Sequence, residues 1–383
     1  LLGKRLIYIV CGDAADYILL ILLFKSTYKL NCKRMVNMDT VVVKFGGTSL
    51  ASQELRKEAI SHISSLKGEG KNVIAVVSAM GRKGAPYATD TLISLLSKNC
   101  DPATLDLLMS CGEVISACVF ADSLIREGIE AVPLSSLQAG IVTDGVFGSA
   151  DIFDIDTKRM KMELYDNKVV VVTGFQGVTV RNDITTLGRG GSDTSAVVIG
   201  GFMNAESVHI FTDVPGIAVI DPRLVPKAKY LEQIDVDYMY ELARWGAGVI
   251  HPRAVAAARN YDFDLFVRST FDKGQGTRII KDYKIKGPVA MAVMKDCAIF
   301  DAVKTDKLII EGEKKKAVRP LPDSGYSLLT VVFGKYGKEE IREAIGALPA
   351  GTELFLNGLC AHIFVEAGKV ESLANDLYER LFG

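Results

Sequence analysis

Three glycine-rich segments, each following an apolar run, carry the residues best suited to chemistry. The first is Lys44-Phe45-Gly46-Gly47-Thr48-Ser49. Glycines let backbone N–H groups approach phosphate oxygens, the next helix presents its N-terminus, and Lys44 adds a point charge. A strand-to-helix turn with a surface lysine is the plain structural alternative. The second is Thr185-Thr186-Leu187-Gly188-Arg189-Gly190-Gly191-Ser192-Asp193-Thr194-Ser195-Ala196. Ser192 or Asp193 caps the helix expected from Ala196 if the role is structural. Arg189 among three glycines suits bidentate capture of a carboxylate. The third is Phe211-Thr212-Asp213-Val214-Pro215-Gly216-Ile217, followed by Asp221-Pro222-Arg223. It reads equally as a Pro-Gly turn or as a frame for a nucleotide. Neither G-x-x-x-x-G-K-[ST] nor G-x-G-x-x-G occurs, which excludes a Walker A loop and a dinucleotide fingerprint.

Such segments need a scaffold, and the chain has the length for two domains, with 383 residues, 49% apolar and 24% charged. A net charge of −1 gives no basic field for nucleic acid or anionic membrane. Four histidines leave little for a His-based metal site, and no metal site is expected. The seven cysteines form no C-x-x-C pair, so free thiols in a reducing cytoplasm are expected. Residues 17–24 are apolar but far short of the ~20 residues a membrane span needs. With Met35 and Met38 just before the first convincing strand, residues 1–38 are expected to be an extension outside the native fold.

From Asp39 onward strands and helices alternate. Continuous apolar runs at 41–43, 73–77, 169–172, 208–211 and 265–267 indicate a largely parallel sheet covered on both faces. Leu55, Ala59, Ile60, Ile63 and Leu66 have helical spacing. The expected class is α/β, three-layered, with ligands at the carboxyl ends of the strands. Polar residues 281–288 mark a boundary. Beyond it, strands near 289–293, 328–333, 353–356 and 362–365 alternate with helices at 339–348 and 370–381, a small α+β unit. The run Glu313-Lys314-Lys315-Lys316 is expected to be a solvated loop.

Taken in order, Lys-Phe-Gly-Gly-Thr-Ser, Val-Ser-Ala-Met-Gly-Arg, Ser-Cys-Gly-Glu, Thr-Gly-Phe-Gln-Gly, Leu-Gly-Arg-Gly-Gly-Ser-Asp-Thr-Ser-Ala, Thr-Asp-Val-Pro-Gly-Ile and Asp-Pro-Arg resemble the aspartokinases of the amino-acid kinase family. Ser78-Ala79-Met80-Gly81-Arg82-Lys83-Gly84 and Tyr87-Ala88-Thr89-Asp90 look most like bacterial single-function lysine-pathway forms. The resemblance implies a three-layer amino-acid kinase fold over residues 39–281 and an ACT-like regulatory and dimerisation region over 287–383. It also implies roles. Lys44, Gly46 and Gly47 match the phosphate-binding turn. Ser78, Thr89, Phe175 and Ser192 match the aspartate pocket. Glu113 matches the carboxylate that receives the substrate ammonium, and Arg189 the arginine that holds its α-carboxylate. Thr212, Asp213 and Arg223 match nucleotide-side positions. Lys44 and Asp193 are the expected catalytic pair, with Asp193 orienting Lys44 or the substrate.

The implied reaction moves the γ-phosphoryl of ATP, with Mg²⁺, to the β-carboxylate of L-aspartate. The product is 4-phospho-L-aspartate, which opens lysine, threonine and methionine synthesis, and a cytoplasmic homodimer joined through the C-terminal region is expected. Two departures stand against this. The family's usual lysine is Gly248 here, with Arg244 or Arg253 as candidate replacements, and a family tyrosine is Ala218. The alternative function is an impaired paralogue acting as a regulatory or interaction subunit. Glutamate or acetylglutamate as acceptor is disfavoured by the Glu113 and Arg189 pair. The tail, short of two ACT modules, is expected to be one divergent or two eroded units.

Overall fold

The computed structural model describes residues 39–301, 308–311 and 314–383; the expectations for residues 1–38 and for Glu313 lie outside the described residues. Residues 40–383 form one compact unit built on an eight-stranded sheet. Its spatial order is Gln233–Asp235, Thr277–Ile280, Asp264–Ser269, Ser207–Thr212, Thr40–Phe45, Asn72–Val77, Val169–Thr173, Ala131–Leu134. All pairings are parallel except that between Asp264–Ser269 and Thr277–Ile280.

The apolar runs sit at the centre because both of their faces are covered. Val41, Val43, Phe45, Val73, Ala75 and Val77 point to one side, against Ile60 and Ile63 of the Gln53–Gly68 helix and Phe120 of Pro102–Arg126. Val42, Ile74, Val76, Val170 and Val172 point to the other, against Ala196, Val197 and Ile199 of the Gly191–Met203 helix. This two-residue alternation also decides where Lys44 goes. It shares the face of Val42, and so meets the helix that carries Asp193.

Two local expectations are corrected. The helix after the second glycine segment begins at Gly191 rather than Ala196, and its N-cap is Gly190 at φ 74°, with no side-chain cap. Ser192 and Asp193 therefore lie inside the first turn, and neither side chain is spent on capping the helix. The run Lys314–Lys316 is not a loop. It belongs to the strand Lys314–Pro320, paired with Cys297–Asp301 and Leu308–Glu311. A small sheet of Ile152–Ile155, Ile141–Thr143, Gln176–Val178 and Ile184–Thr186 was not legible, since its strands are only three or four residues long, too short to show a period.

The tail is a four-stranded antiparallel sheet, Gly287–Met294, Tyr326–Gly334, Cys360–Glu366 and Glu353–Asn357, consistent with an ACT-like unit. One face packs Leu329, Val331, Phe333 and Ile363 against Ile341, Ile345, Leu373 and Leu377 of its two helices, Lys338–Ile345 and Val370–Phe382. The other face packs Leu328, Val332 and Cys360 into the core of the catalytic body. Backbone contact is direct: Met291 N–H donates to Val219 O at 2.6 Å.

Candidate active site

Four strand ends converge where the chemistry was expected. Thr40–Phe45 delivers Lys44 and then Gly46-Gly47. Lys44 Nζ lies 2.7 Å from Asp193 Oδ1, both side chains only 13% exposed. Gly47 is required by close approach, because a Cβ there would come 2.2 Å from Ala79 O. Gly81 N–H donates to Gly47 O at 2.9 Å and Ser78 N–H to Phe45 O at 3.2 Å, so the first two segments are stitched together by backbone.

Glu113 enters this seam from the Pro102–Arg126 helix. It is buried, and its Oε1 accepts from Ala79 N–H at 3.0 Å. Its Oε2 has no hydrogen-bond partner among the described residues. Burial raises its pKa to about 8, against the opposing pull of the Ala79 N–H. Gly112 lets this helix sit close, since a Cβ would meet Ala79 Cβ at 2.8 Å and Tyr87 O at 3.1 Å. The segment leading to Thr89 thus lies beside Glu113, with Thr89 opening the Thr89–Ile93 helix.

Phe175 and Ser192 meet across the next strand end. Phe175 has φ +69°, an uncommon conformation for an aromatic residue. Its N–H donates to Ser195 Oγ at 3.1 Å, and its ring packs where a Gly191 Cβ would stand. A Cβ on Gly174 would reach Ser192 Cβ at 2.9 Å, so this glycine too is a packing requirement. Arg189 is exposed and makes no hydrogen bond or ion pair among the described residues, which leaves its guanidinium open to a ligand.

On the third glycine-bearing segment, Thr212 ends its strand and Asp213 pairs with Arg82 at 3.0 Å. Both partners are well exposed, so that pair contributes little to stability. Arg223 binds its own neighbour Asp221 through Nε and Nη2, at 3.0 and 2.6 Å, and is 89% exposed. No contact joins it to the Lys44 cluster. Ala218 pairs with Tyr230 in an isolated bridge.

Neither proposed replacement for the lysine at Gly248 reaches the cluster. The Val236–Arg244 helix stops at Arg244, so helical spacing to position 248 does not hold. Arg244 lies over the Trp245 ring at 5.2 Å and near Glu241, and its charge bears on Cys360 and His362 of the tail sheet. Arg253 is spent on backbone: it donates to Leu187 O and Ala150 O and pairs with Asp151. Gly248 is exposed, with open space where a Cβ would go.

Sequence reasoning missed the braces. Asp106, buried, accepts from Gly148 N–H, Thr186 N–H and Thr186 Oγ1 at 2.7–2.8 Å, fixing the strand before the second glycine segment. His251 packs beneath Gly190, whose added Cβ would meet the imidazole at 2.2 Å. Only the His251-Pro252-Arg253 string hinted at these contacts, and it carries no recognisable spacing to its partners.

Among the described residues no cluster of three His, Cys, Asp or Glu forms a metal cage. A Mg²⁺ that arrives with phosphates needs one or two carboxylates and water. Asp193, in the first turn of its helix and paired with Lys44, and Asp213, just past its strand and paired with Arg82, are carboxylates of the kind that would meet that lesser demand.

A mainly parallel sheet with a glycine turn after its central strand, the Lys44–Asp193 pair and the buried Glu113 carboxylate define this α/β body. The chain belongs to the amino acid kinase family, whose model matches residues 39–269. Within that family its curated relatives are aspartokinases, as the motifs implied. It is 44% identical over 252 residues to aspartokinase 1 of Bacillus subtilis (strain 168), covering 65% of this chain and 62% of that one. It is 36% identical over 298 residues to the aspartokinase of Mycobacterium bovis, covering 76% and 70%. The chain thus spans about 62% of the length of the first of these relatives. The fold matches that of E. coli aspartokinase III in complex with aspartate and ADP, with TM-score 0.73 and 20% identity over 90% of this chain and 100% of that one.

Proposed function

We propose that this chain transfers the γ-phosphoryl group of ATP to the β-carboxylate of L-aspartate. One observation carries the reading. Ala79 holds Glu113 Oε1 through its N–H and abuts Gly47 through its O, tying a buried carboxylate with one unpartnered oxygen to the glycine turn beside Lys44. That juxtaposes an ammonium receptor with a phosphate cradle.

Chemistry follows from charge. An aspartate carboxylate, with reference pKa ≈ 3.9, is already ionised at neutral pH, so no base is needed. The work is to bring two anions together and to stabilise charge on the phosphoryl group in flight. Lys44 supplies the cation, and Asp193, 2.7 Å away, orients it. Gly46 and Gly47 admit phosphate oxygens to backbone N–H groups. Glu113 takes the substrate ammonium and Arg189 its α-carboxylate, with Ser78, Thr89, Phe175 and Ser192 around them. Thr212, Asp213 and Arg223 take the nucleotide side, and Mg²⁺ bound with ATP would neutralise its phosphates. Residues 39–281 are then the catalytic domain and 287–383 the ACT-like region, in a cytoplasmic homodimer.

A coupled assay of purified protein with aspartate, glutamate and acetylglutamate tests the assignment. ADP release with aspartate alone is expected, and equal or greater turnover with either of the others would refute it. Arg189→Ala should raise the KM for aspartate by about 10- to 150-fold, the loss of a 1.5–3 kcal/mol charge-assisted bond, with the KM for ATP nearly unchanged. Equal losses for both substrates would show a structural role in the turn.

Gly248 bears on rate. With both candidate arginines engaged elsewhere, the transition state lacks one cation, and slow turnover is expected. Gly248→Lys enters open space, so unfolding free energy should hold within about 0.5 kcal/mol, as for a surface change, while kcat rises. An unchanged kcat would show that the site is already complete.

A further inference from the structure

Two buried hydroxyls beside Glu113 bond to nothing among the described residues. Ser116 lies three residues further along the Pro102–Arg126 helix, on the same inward face, and is fully buried. Thr173, also buried, ends the Val169–Thr173 strand and is paired with Val77, two residues before Ala79, whose N–H holds Glu113 Oε1. Strand alternation puts Thr173 on the side of Val169 and Val171, which pack with Ala117 and Phe120 of the same helix. All three side chains therefore share one end of this helix–sheet seam. Glu113 Oε2, Ser116 Oγ and Thr173 Oγ1 are each buried without a hydrogen-bond partner among the described residues. Such groups are rare in a native fold, because each has lost water and gained nothing in return. Neighbouring hydroxyls show the ordinary outcome. On the same helix Ser110 donates to Leu107 O at 2.7 Å and Ser123 to Val119 O at 2.8 Å. Thr143 and Thr185 bond each other, and Thr186 donates to Asp106. Ser116 makes no such bond to its own helix, so its hydroxyl is free to turn toward another acceptor.

We propose, on the reading that Glu113 receives the substrate ammonium, that Ser116 and Thr173 are positioning residues for it, their hydroxyls donating to its carboxylate when the ammonium binds. The reason lies in what a buried carboxylate needs. An ionised carboxylate has about four lone-pair sites and no donor of its own. Burying it with a single hydrogen bond is costly, and burial accordingly favours the neutral form of Glu113 in the free protein. When substrate arrives, Ala79 N–H fills one site and the ammonium another. Two remain, and two hydroxyls stand beside them, one from the helix and one from the strand. Hydrogen bonds to the charged form favour that form. A hydroxyl suits the task because it rotates to whichever role is required and carries no charge to compete for the ammonium. Both groups thus act through Glu113 and touch no reacting atom.

Variants of the full chain decide it. Thr173→Val and Ser116→Ala should each raise the KM for aspartate by about 3- to 10-fold, the scale of one net hydrogen bond. The kcat at saturation and the KM for ATP should stay nearly unchanged. Thr173→Ser keeps the hydroxyl and should restore the wild-type KM. Melting temperature of the free protein should hold or rise in Thr173→Val and Ser116→Ala, since each removes a buried hydroxyl that had no partner. In a Glu113→Gln background neither substitution should add appreciably to the loss, because the charge they serve is gone. A crystal structure with aspartate bound should place both hydroxyl oxygens about 2.5–3.0 Å from the Glu113 carboxylate. An aspartate KM unchanged in both variants, beside a Glu113→Gln protein that has lost affinity, overturns this inference and leaves the role of Glu113 standing. So does a loss that persists in full in the Glu113→Gln background, or a Thr173→Ser protein as weak as Thr173→Val, which would show a role of shape alone. An unchanged KM in Glu113→Gln itself would overturn the assignment of Glu113 and this inference with it.

Discussion

Replacing Glu113 by Gln should raise the KM for aspartate by roughly 30- to 700-fold, a loss of about 2–4 kcal/mol, while kcat at saturation changes little. The amide keeps an oxygen for Ala79 N–H and preserves volume, so the glycine seam stays in place. What disappears is the buried negative charge that meets the substrate ammonium. The pH dependence supplies a second readout. In the free protein burial lifts Glu113 to about 8, so at pH 7 it is mostly protonated. An arriving ammonium favours the ionised form, and aspartate binding must expel that proton. Affinity should therefore rise as pH goes from 6 to 8, by up to about tenfold per unit, and level off above 8. Calorimetry in buffers of different ionisation enthalpy should find close to one proton released per aspartate at pH 7. Stability of the free protein runs the other way. The unfolded carboxyl ionises near 4.5 and the folded one near 8, so Glu113's contribution is present below 4.5 and is lost as pH rises through 8. Glu113→Gln removes that slope. An aspartate affinity flat from pH 6 to 8 would show that Glu113 does not receive the ammonium.

Lys44→Met should lower kcat by about 10²- to 10³-fold with saturating Mg-ATP and aspartate, the usual scale for removing one group that stabilises transition-state charge. The complication is structural. Asp193 is 13% exposed, and losing its partner leaves a nearly buried carboxylate alone. Melting temperature should fall for that reason, and the double variant Lys44→Met, Asp193→Asn should recover it. Activity should not recover. Recovery of both would make Lys44 a structural cation and move the catalytic charge elsewhere; loss of neither would remove it from the site altogether.

The core of this protein was written in one-dimensional pattern. The uninterrupted apolar runs Val73-Ile74-Ala75-Val76-Val77 and Val169–Val172 have the pattern of strands buried on both faces, and glycine after such a strand marks where backbone must yield to a ligand or a neighbour. That much named the fold class, the glycine segments and Lys44, because strand periodicity and turn chemistry are local properties. Local reasoning also set the limits. It could not place the start of the Gly191–Met203 helix, since Gly190 serves as N-cap through a left-handed backbone and not through a side chain. It offered Arg244 as a substitute cation because helix periodicity was extended past a helix that ends there. Only the tertiary structure turned Arg244 toward the tail sheet, tied Arg253 to the carbonyls of Leu187 and Ala150, and buried Asp106 against a strand 80 residues away. It also raised the pKa of Glu113, for burial is a property of what surrounds a side chain and not of its neighbours in sequence. Residue type and spacing determined which groups this chain has for phosphoryl chemistry; packing across distant segments decided which of them are free to use it.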